Sequence, residues 1–203
     1  RGRHHQGAGA LQVRELATNS ASFQIDLTGD KDALSGVLYA KAEDMDISPW
    51  ASALIDTRRP LKESRANLEV WAQLENSQFS AFFTRFDESR LEWGGQDEVS
   101  VSTGIRGGSL QALPVDNRWL LRLDKLIIES NSQQLVTDLV GQINANGEAI
   151  LNTMKPTPVN PFLVLLPLFT SDTADDDVRE LNPTGQLATM QLQADENGLA
   201  LSA

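Results

Sequence analysis

The chain has 203 residues, 40% apolar and 22% charged, and its 28 acidic against 17 basic side chains leave a formal net charge of −11. That length can bury a sizeable core, while the charge argues against a nucleic-acid binder, whose phosphate contacts need clustered cations, and against a polybasic membrane-surface patch. The lack of cysteine removes disulfides, thiol nucleophiles and Cys-ligated zinc, and is neutral on compartment.

In chain order, Arg1 to Ala10, rich in Gly and His, reads as a flexible start. A chain that begins Arg1-Gly2-Arg3 without methionine reads as a piece of something longer. Period-two alternation then dominates. Ser22 to Leu27 sends Phe23, Ile25 and Leu27 to one face, and Gly36 to Ala42 sets Val37, Tyr39 and Lys41 opposite Leu38, Ala40 and Ala42. Ser48 as N-cap and Pro49 at the first helical position predict a short helix over 48–57, with Trp50, Ala53, Leu54 and Thr57 on one face. Leu68 to Leu74 and Gln78 to Phe86 read as a hairpin about Glu75-Asn76-Ser77.

Further short strands follow at 90–93, 98–103, 109–113, 119–123, 126–129, 134–143 and 148–154. Asn160 and Pro161 predict a second helix over 160–170, placing Phe162, Leu165, Leu166 and Phe169 on one face, with Pro167 as a kink or stop. That helix is apolar nearly all round, so it is buried on several sides or meets lipid or a partner. Its apolar run, Pro161 to Phe169, is too short to span a bilayer, which takes about 18–20 apolar residues. An acidic loop, Ser171 to Glu180, precedes the last strands, at 185–193 and 199–202. Short strands with tight polar turns indicate an antiparallel meander, because parallel crossovers need a dozen or more connecting residues.

The order repeats. Ile47-Ser48-Pro49-Trp50 and Val159-Asn160-Pro161-Phe162 are equivalent helix starts, and Ile25-Asp26-Leu27-Thr28-Gly29 matches Thr137-Asp138-Leu139-Val140-Gly141 at the same offset. Leu11 to Leu16 resembles Leu121 to Leu126, and the stretch from Ala66 to Leu74 resembles that from Gly185 to Leu192. Such repetition indicates units that cannot bury their apolar faces alone. It gives a first unit over 11–110 and a second over 111–203, sharing one continuous sheet.

Catalytic chemistry is poorly served. Gly104 to Gly108 has no following helix to aim N–H groups at an anion, so it reads as a turn cluster. His4 and His5, the only histidines, sit in the flexible start and leave no base for a Ser-His-Asp site and no imidazole ligand for a metal. Glu43, Asp44 and Asp46 fit a helix N-terminus better than a paired-carboxylate site, and Asp175 to Asp177 lacks the spacing of a calcium loop. The expectation is a protein that is not an enzyme and uses no cofactor or metal.

What remains is shape. An antiparallel sheet with one apolar face and two short helices must curl, pack on another sheet, or hold something greasy. Phe23, Ile25, Leu27, Leu68, Val70, Phe79, Ala81, Phe83, Leu121, Leu123, Leu135, Leu139 and Ile143 are candidates to line a trough. An ordinary β-sandwich core accounts for the same alternation. Lys41, Glu69 and Arg85 lie within strands, and their facing depends on register.

The Leu-x-Val/Leu strand, the Ile-Asp-Leu-x-Gly strand, "DMDISPW", "RANLEVWAQL", "NPFLVLLPLF" and "LNPTGQLATMQLQ" together resemble the large AsmA-like proteins of the YhdP type, over Leu11 to Leu201. The resemblance implies a mainly β fold, a long curved antiparallel groove or half-barrel. It implies a periplasmic protein anchored to the inner membrane by a segment outside this chain, carrying phospholipid acyl chains along an apolar groove towards the outer membrane of a Gram-negative envelope. Trp50, Leu54, Phe162, Leu165, Leu166 and Phe169 then become lids on that groove. The alternative is a non-enzymatic envelope assembly module that binds a protein partner through its sheet edges.

Overall fold

The computed structural model describes residues 3–12, 20–30, 32–48, 60–94, 100–130, 133–163, 180, 183–195 and 198–202. One antiparallel sheet of 12 strands dominates it. In chain order these are β1 (His4–Gln12), β2 (Ser20–Thr28), β3 (Ser35–Met45), β4 (Leu61–Glu75), β5 (Gln78–Phe86), β6 (Ser89–Trp93), β7 (Val101–Val115), β8 (Arg118–Ser130), β9 (Gln133–Asn144) and β10 (Ala149–Thr153). After a short ladder of β11 (Thr157–Pro158) with β12 (Gln186–Leu187) come β13 (Gln191–Asp195) and β14 (Gly198–Ser202). Neighbours in sequence are neighbours in space, from β1 at one edge to β14 at the other. β5 and β6 together act as one broken strand between β4 and β7. The sheet is an open meander and not a closed barrel.

Local chemistry explains the turns. Asn76 and Ser77 both adopt positive φ, 52° and 62°, the left-handed pair that a two-residue hairpin between twisted strands requires. Asn144 closes the β9–β10 turn by accepting the N–H groups of Asn146 and Glu148 on its side-chain oxygen, both at 3.0 Å.

Several strand assignments change. Residues 4–10, expected as a flexible start, belong to β1. The pairs 98–103 with 109–113, and 119–123 with 126–129, are single long strands, β7 and β8. The glycine cluster at 104–108 is therefore no turn. It lies inside β7, where Gly107 and Gly108 take positive φ (155° and 136°) at a double register shift. The boundary drawn at 110/111 also falls inside β7, and the sheet runs through it. Of the helix expected over 160–170, the described part is one turn, Val159–Phe162, starting one residue before Asn160, and 164–170 lie outside the described residues. Most of the helix expected over 48–57 lies outside the described residues.

A transverse crease crosses the sheet where strands carry an extra residue. β3 shifts register around Asp44, β5 breaks to β6 at Asp87-Glu88, β7 shifts around Arg106 and β8 around Lys125. Beyond the crease, Leu61, Trp93, Leu135 and Met190 pack together, with Ile47, Ile128 and Leu187 against them. Residues from β4 and β6 can meet one from β9 only if the sheet curls towards that face.

Candidate functional site: one apolar face of the sheet

Register assigns each strand residue to a face, because partners in a ladder stand on the same side. Starting from Phe23, Ile25 and Leu27 on β2, the partners are Ala40, Leu38 and Gly36 on β3, and then Val70, Ala72 and Leu74 on β4. The row continues to Phe82, Thr84 and Phe86 on β5, and to Ala112 and Leu110 on β7. It passes through Trp119, Leu121 and Leu123 on β8, Ile143, Gly141 and Leu139 on β9, and Ala149 and Leu151 on β10. Every Asp, Glu, Lys and Arg with a cross-strand partner in this sheet stands on the other face. One face is thus free of ionic ladder positions and mainly apolar, with Thr84, Thr103 and Thr137 among its polar members, and the other carries the charge.

Burial shows which face is inside. Leu27, Ala42, Leu61, Ala66, Ala72, Trp93, Ala112, Leu135 and Leu139, all on the apolar side, are buried. The seal is uneven. Leu135 is 1% exposed beyond the crease, whereas Phe23 and Phe79, on the near side, are 45% and 46% exposed. The near arm is an open trough with a hollow of about 210 Å³ lined by Phe23, Ile25, Leu38, Ala40, Val70 and Ala72. The far arm is covered by Ile47 and Leu187, which pack on its core. The Val159–Phe162 turn lies against β9, and Leu163 beside it is buried.

The trough candidates divide. Phe23, Ile25, Leu27, Leu68, Val70, Leu121, Leu123, Leu135, Leu139 and Ile143 share the apolar face. Ala81 and Phe83 do not. The β4–β5 register shifts between Gln73 and Leu74, so Ala81 pairs with Gln73 and Phe83 with Trp71 on the outer face. Phe79 returns to the trough side, opposite Leu74, with its ring centroid 4.9 Å from that of Phe82. Sequence reasoning missed Phe82, whose ring also meets Trp119 across the strands at 5.2 Å. Of the lid candidates, Phe162 ends the helical turn, and Trp50, Leu54, Leu165, Leu166 and Phe169 lie outside the described residues.

The outer face is organised by paired charge. Lys41, Glu69 and Arg85, the three strand charges of undecided facing, form one outward row across β3, β4 and β5, with Arg85 and Glu69 3.1 Å apart. Lys41 also pairs with Glu43; hydrogen bonding between them raises the lysine and lowers the carboxylate from their ordinary values. Next to it an aromatic strip, Tyr39–Trp71–Phe83, crosses the same strands with centroids 5.2 and 5.5 Å apart.

Where the chain leaves β3, Asp46 ties Ser48 to β4. Its Oδ1 accepts the N–H and hydroxyl of Ser48 (3.0 and 2.7 Å) and those of Ser64 on β4 (3.2 and 2.9 Å). Burial opposes the charged form, but these four bonds outweigh it and hold the carboxyl below the usual aspartate range. Among the described residues no cluster of His, Asp and Glu is placed to hold a metal, and no helix is long and apolar enough to cross a membrane.

A model of the YhdP protein family matches residues 1–203. The chain therefore belongs to the YhdP family of AsmA-like envelope proteins. No curated protein and no solved structure matches it.

Proposed function

We propose that this part of a YhdP-family chain carries phospholipid acyl chains along its apolar face, as one length of a conduit between the two membranes of a Gram-negative envelope. The observation that carries the reading is the segregation of charge: a face crossing from β2 to β10 has no ionic ladder position. Each methylene kept from water saves about 0.8 kcal/mol, so an uninterrupted apolar lining holds an acyl chain at nearly constant free energy as it slides. Head groups stay in water along the open side. No bond is made or broken, and the chain acts as a non-enzymatic surface in the periplasm, tethered to the inner membrane by a part of the protein outside it.

The test is native mass spectrometry of the purified chain, followed by delipidation and titration with a fluorescent fatty acid. Stoichiometric phospholipid and saturable uptake are expected, with uptake lost in Val70→Glu on the trough face and kept in Gln73→Glu on the outer face. Protein free of lipid that takes up no probe sinks the reading.

A second reading rests on the sheet edges. The outermost strands, β1 and β14, contain no Asp, Glu, Lys, Arg or Pro, the residues that ordinarily blunt an edge against strand addition. An envelope partner added to either edge would appear as a saturable protein ligand whose binding does not compete with the fatty acid.

A further inference from the structure

On the outer face, along the crease, lies a cavity of about 540 Å³ whose lining includes Arg65, Arg90, Arg106, Gly104, Glu88 and Glu129. The ladder accounts for its form. Across the sheet the row reads Arg65 on β4, Arg90 on β6, Gly104 on β7 and Glu129 on β8. The glycine leaves a gap in a row of long side chains, and a Cβ built there meets nothing closer than 3.7 Å. Its φ is not in the left-handed region, so backbone geometry does not call for glycine here.

The cations around the gap are not equivalent. Arg106 is fully engaged: its Nε and Nη2 donate to Glu129 at 2.9 and 3.2 Å, and Nη1 donates to Glu88. Arg90 commits its Nε to Glu92 at 2.6 Å, which leaves its terminal nitrogens. Arg65 makes no ion pair among the described residues, and its direct cross-strand partner is Arg90. Two like charges set opposite each other in a ladder repel and destabilise it. Glu63 and Glu92, themselves opposite one another, stand one row further from the crease. Two guanidinium groups with free, forked donors beside a glycine-floored cavity suit a tetrahedral oxyanion, which accepts two N–H groups from each. Arg106 Nε lies 3.8 Å from the Cβ position at Gly104, and Asp44 is the third carboxylate of the lining beside Glu88 and Glu129.

We propose that Arg65 and Arg90 bind a phosphate group over Gly104, on the face opposite the trough. The ligand chemistry is a tetrahedral phosphate oxyanion, supplied either as free phosphate or as the phosphodiester head group of a phospholipid lying against the outer face. The site does not depend on lipid in the trough, and its failure leaves the trough reading untouched.

The experiment is isothermal titration of the whole chain with inorganic phosphate at fixed ionic strength, repeated with a six-carbon-chain phosphatidylglycerol below its micelle concentration. Gly104→Val fills the gap without removing a charge, and Arg65→Gln removes one of the opposed cations. Each variant is expected to weaken phosphate binding at least about tenfold, Arg65→Gln by losing a charge-assisted hydrogen bond and Gly104→Val by occupying the space the anion takes. Arg65→Gln also raises the thermal midpoint in phosphate-free buffer, because it removes the repulsion. Tighter binding of the phosphatidylglycerol, lost in Gly104→Val, identifies the head group as the source. Binding of inorganic phosphate alone identifies the free ion. Binding of neither probe to the wild type, equal binding in wild type and Gly104→Val, or an Arg65→Gln midpoint lowered equally with and without phosphate overturns the proposal.

Discussion

The side-chain Oδ1 of Asn67 accepts the backbone N–H of Asp44 at 2.9 Å. Asp44 is the extra residue of β3 and sits at φ 49°, where the bulge has freed its N–H from the ladder. Five strands away, Asp138 of β9 accepts the N–H of Lys125, the extra residue of β8 at φ 51°, at 2.8 Å. The same device thus appears at two places along the crease: a bulged strand, and an unbulged neighbour whose carbonyl or carboxylate oxygen replaces the missing ladder acceptor. An accumulation of bulges along one line across several strands bends a sheet, and here it separates the open arm of the trough from the covered one.

Removing the acceptor should cost the bulge. Asn67 also donates through Nδ2 to Glu88 O at 2.6 Å, so Asn67→Leu leaves both the Asp44 N–H and the Glu88 carbonyl without their partner. A loss of about 1–3 kcal/mol is expected. Lys125→Gly, by contrast, relieves an L-residue of a left-handed conformation and should raise stability by up to about 1 kcal/mol. Urea denaturation of both variants checks the pair, and opposite signs are the required result.

The hydrogen bonds that Asp46 accepts from Ser48 and Ser64 predict an acid limb. Asp46 titrates below its ordinary value of 3.8, so the stability its ionised form contributes is present above the unfolded value and lost as pH falls through the folded one. As pH falls below the ordinary aspartate value of 3.8 the thermal midpoint should fall, with Asp26 and Asp138, also lowered, adding to the slope. Asp46→Asn keeps the Oδ1 acceptor and removes the titration. It should show a shallower acid limb than the wild type, and at pH 7 a smaller loss than Asp46→Ala. An unchanged acid limb in Asp46→Asn refutes the assignment.

Inside the covered arm, Trp93 Nε1 donates to Thr103 Oγ1 at 2.7 Å, and both residues are buried. Thr103→Val keeps the shape of the side chain and strands an indole N–H away from water, at an expected cost of about 1–3 kcal/mol. In a Trp93→Phe background no N–H remains to be stranded, and the same substitution should cost less than about 1 kcal/mol. A double-mutant cycle by chemical denaturation measures the difference, and simple additivity refutes the bond.

How much of this was legible follows from where alternation holds. In β2 and β9 the side-chain period is unbroken, and Phe23, Ile25, Leu27, Leu139 and Ile143 fall where the pattern puts them. The pattern fails at inserted residues. One register shift beside Ser80 moves Ala81 and Phe83 to the outside, and the shifts flanking Gly107 make a mid-strand glycine cluster look like a turn. A bulge leaves no strong local signature, because the residues that compensate it, Asn67 and Asp138, lie on other strands. The facing of Lys41, Glu69 and Arg85 was undecidable for the same reason and is settled by their mutual pairing.

That register shift also supplies the sharpest test of the trough. Phe82 and Phe83 are neighbours in one strand with opposite surroundings: Phe82 faces Trp119 and Ala112 on the apolar side, and Phe83 faces Trp71 and Gln111 on the charged side. A carboxylate at 82 stands in the path proposed for acyl chains, where every methylene passing it loses its apolar contact, worth about 0.8 kcal/mol. A carboxylate at 83 stands on the charged face and forfeits the aromatic pairing with Trp71, worth about 0.5–1.5 kcal/mol, together with the partial burial of the ring. Phe82→Glu is therefore expected to reduce uptake of a fluorescent fatty acid by at least about tenfold, the effect of losing two methylene contacts. Phe83→Glu should lower the denaturation midpoint slightly and leave uptake near the wild-type level. Circular dichroism of both proteins confirms that the sheet persists. Since the two positions differ by one residue and share size, chemistry and strand, equal uptake in both variants means the acyl chain does not lie on the face that register assigns to it.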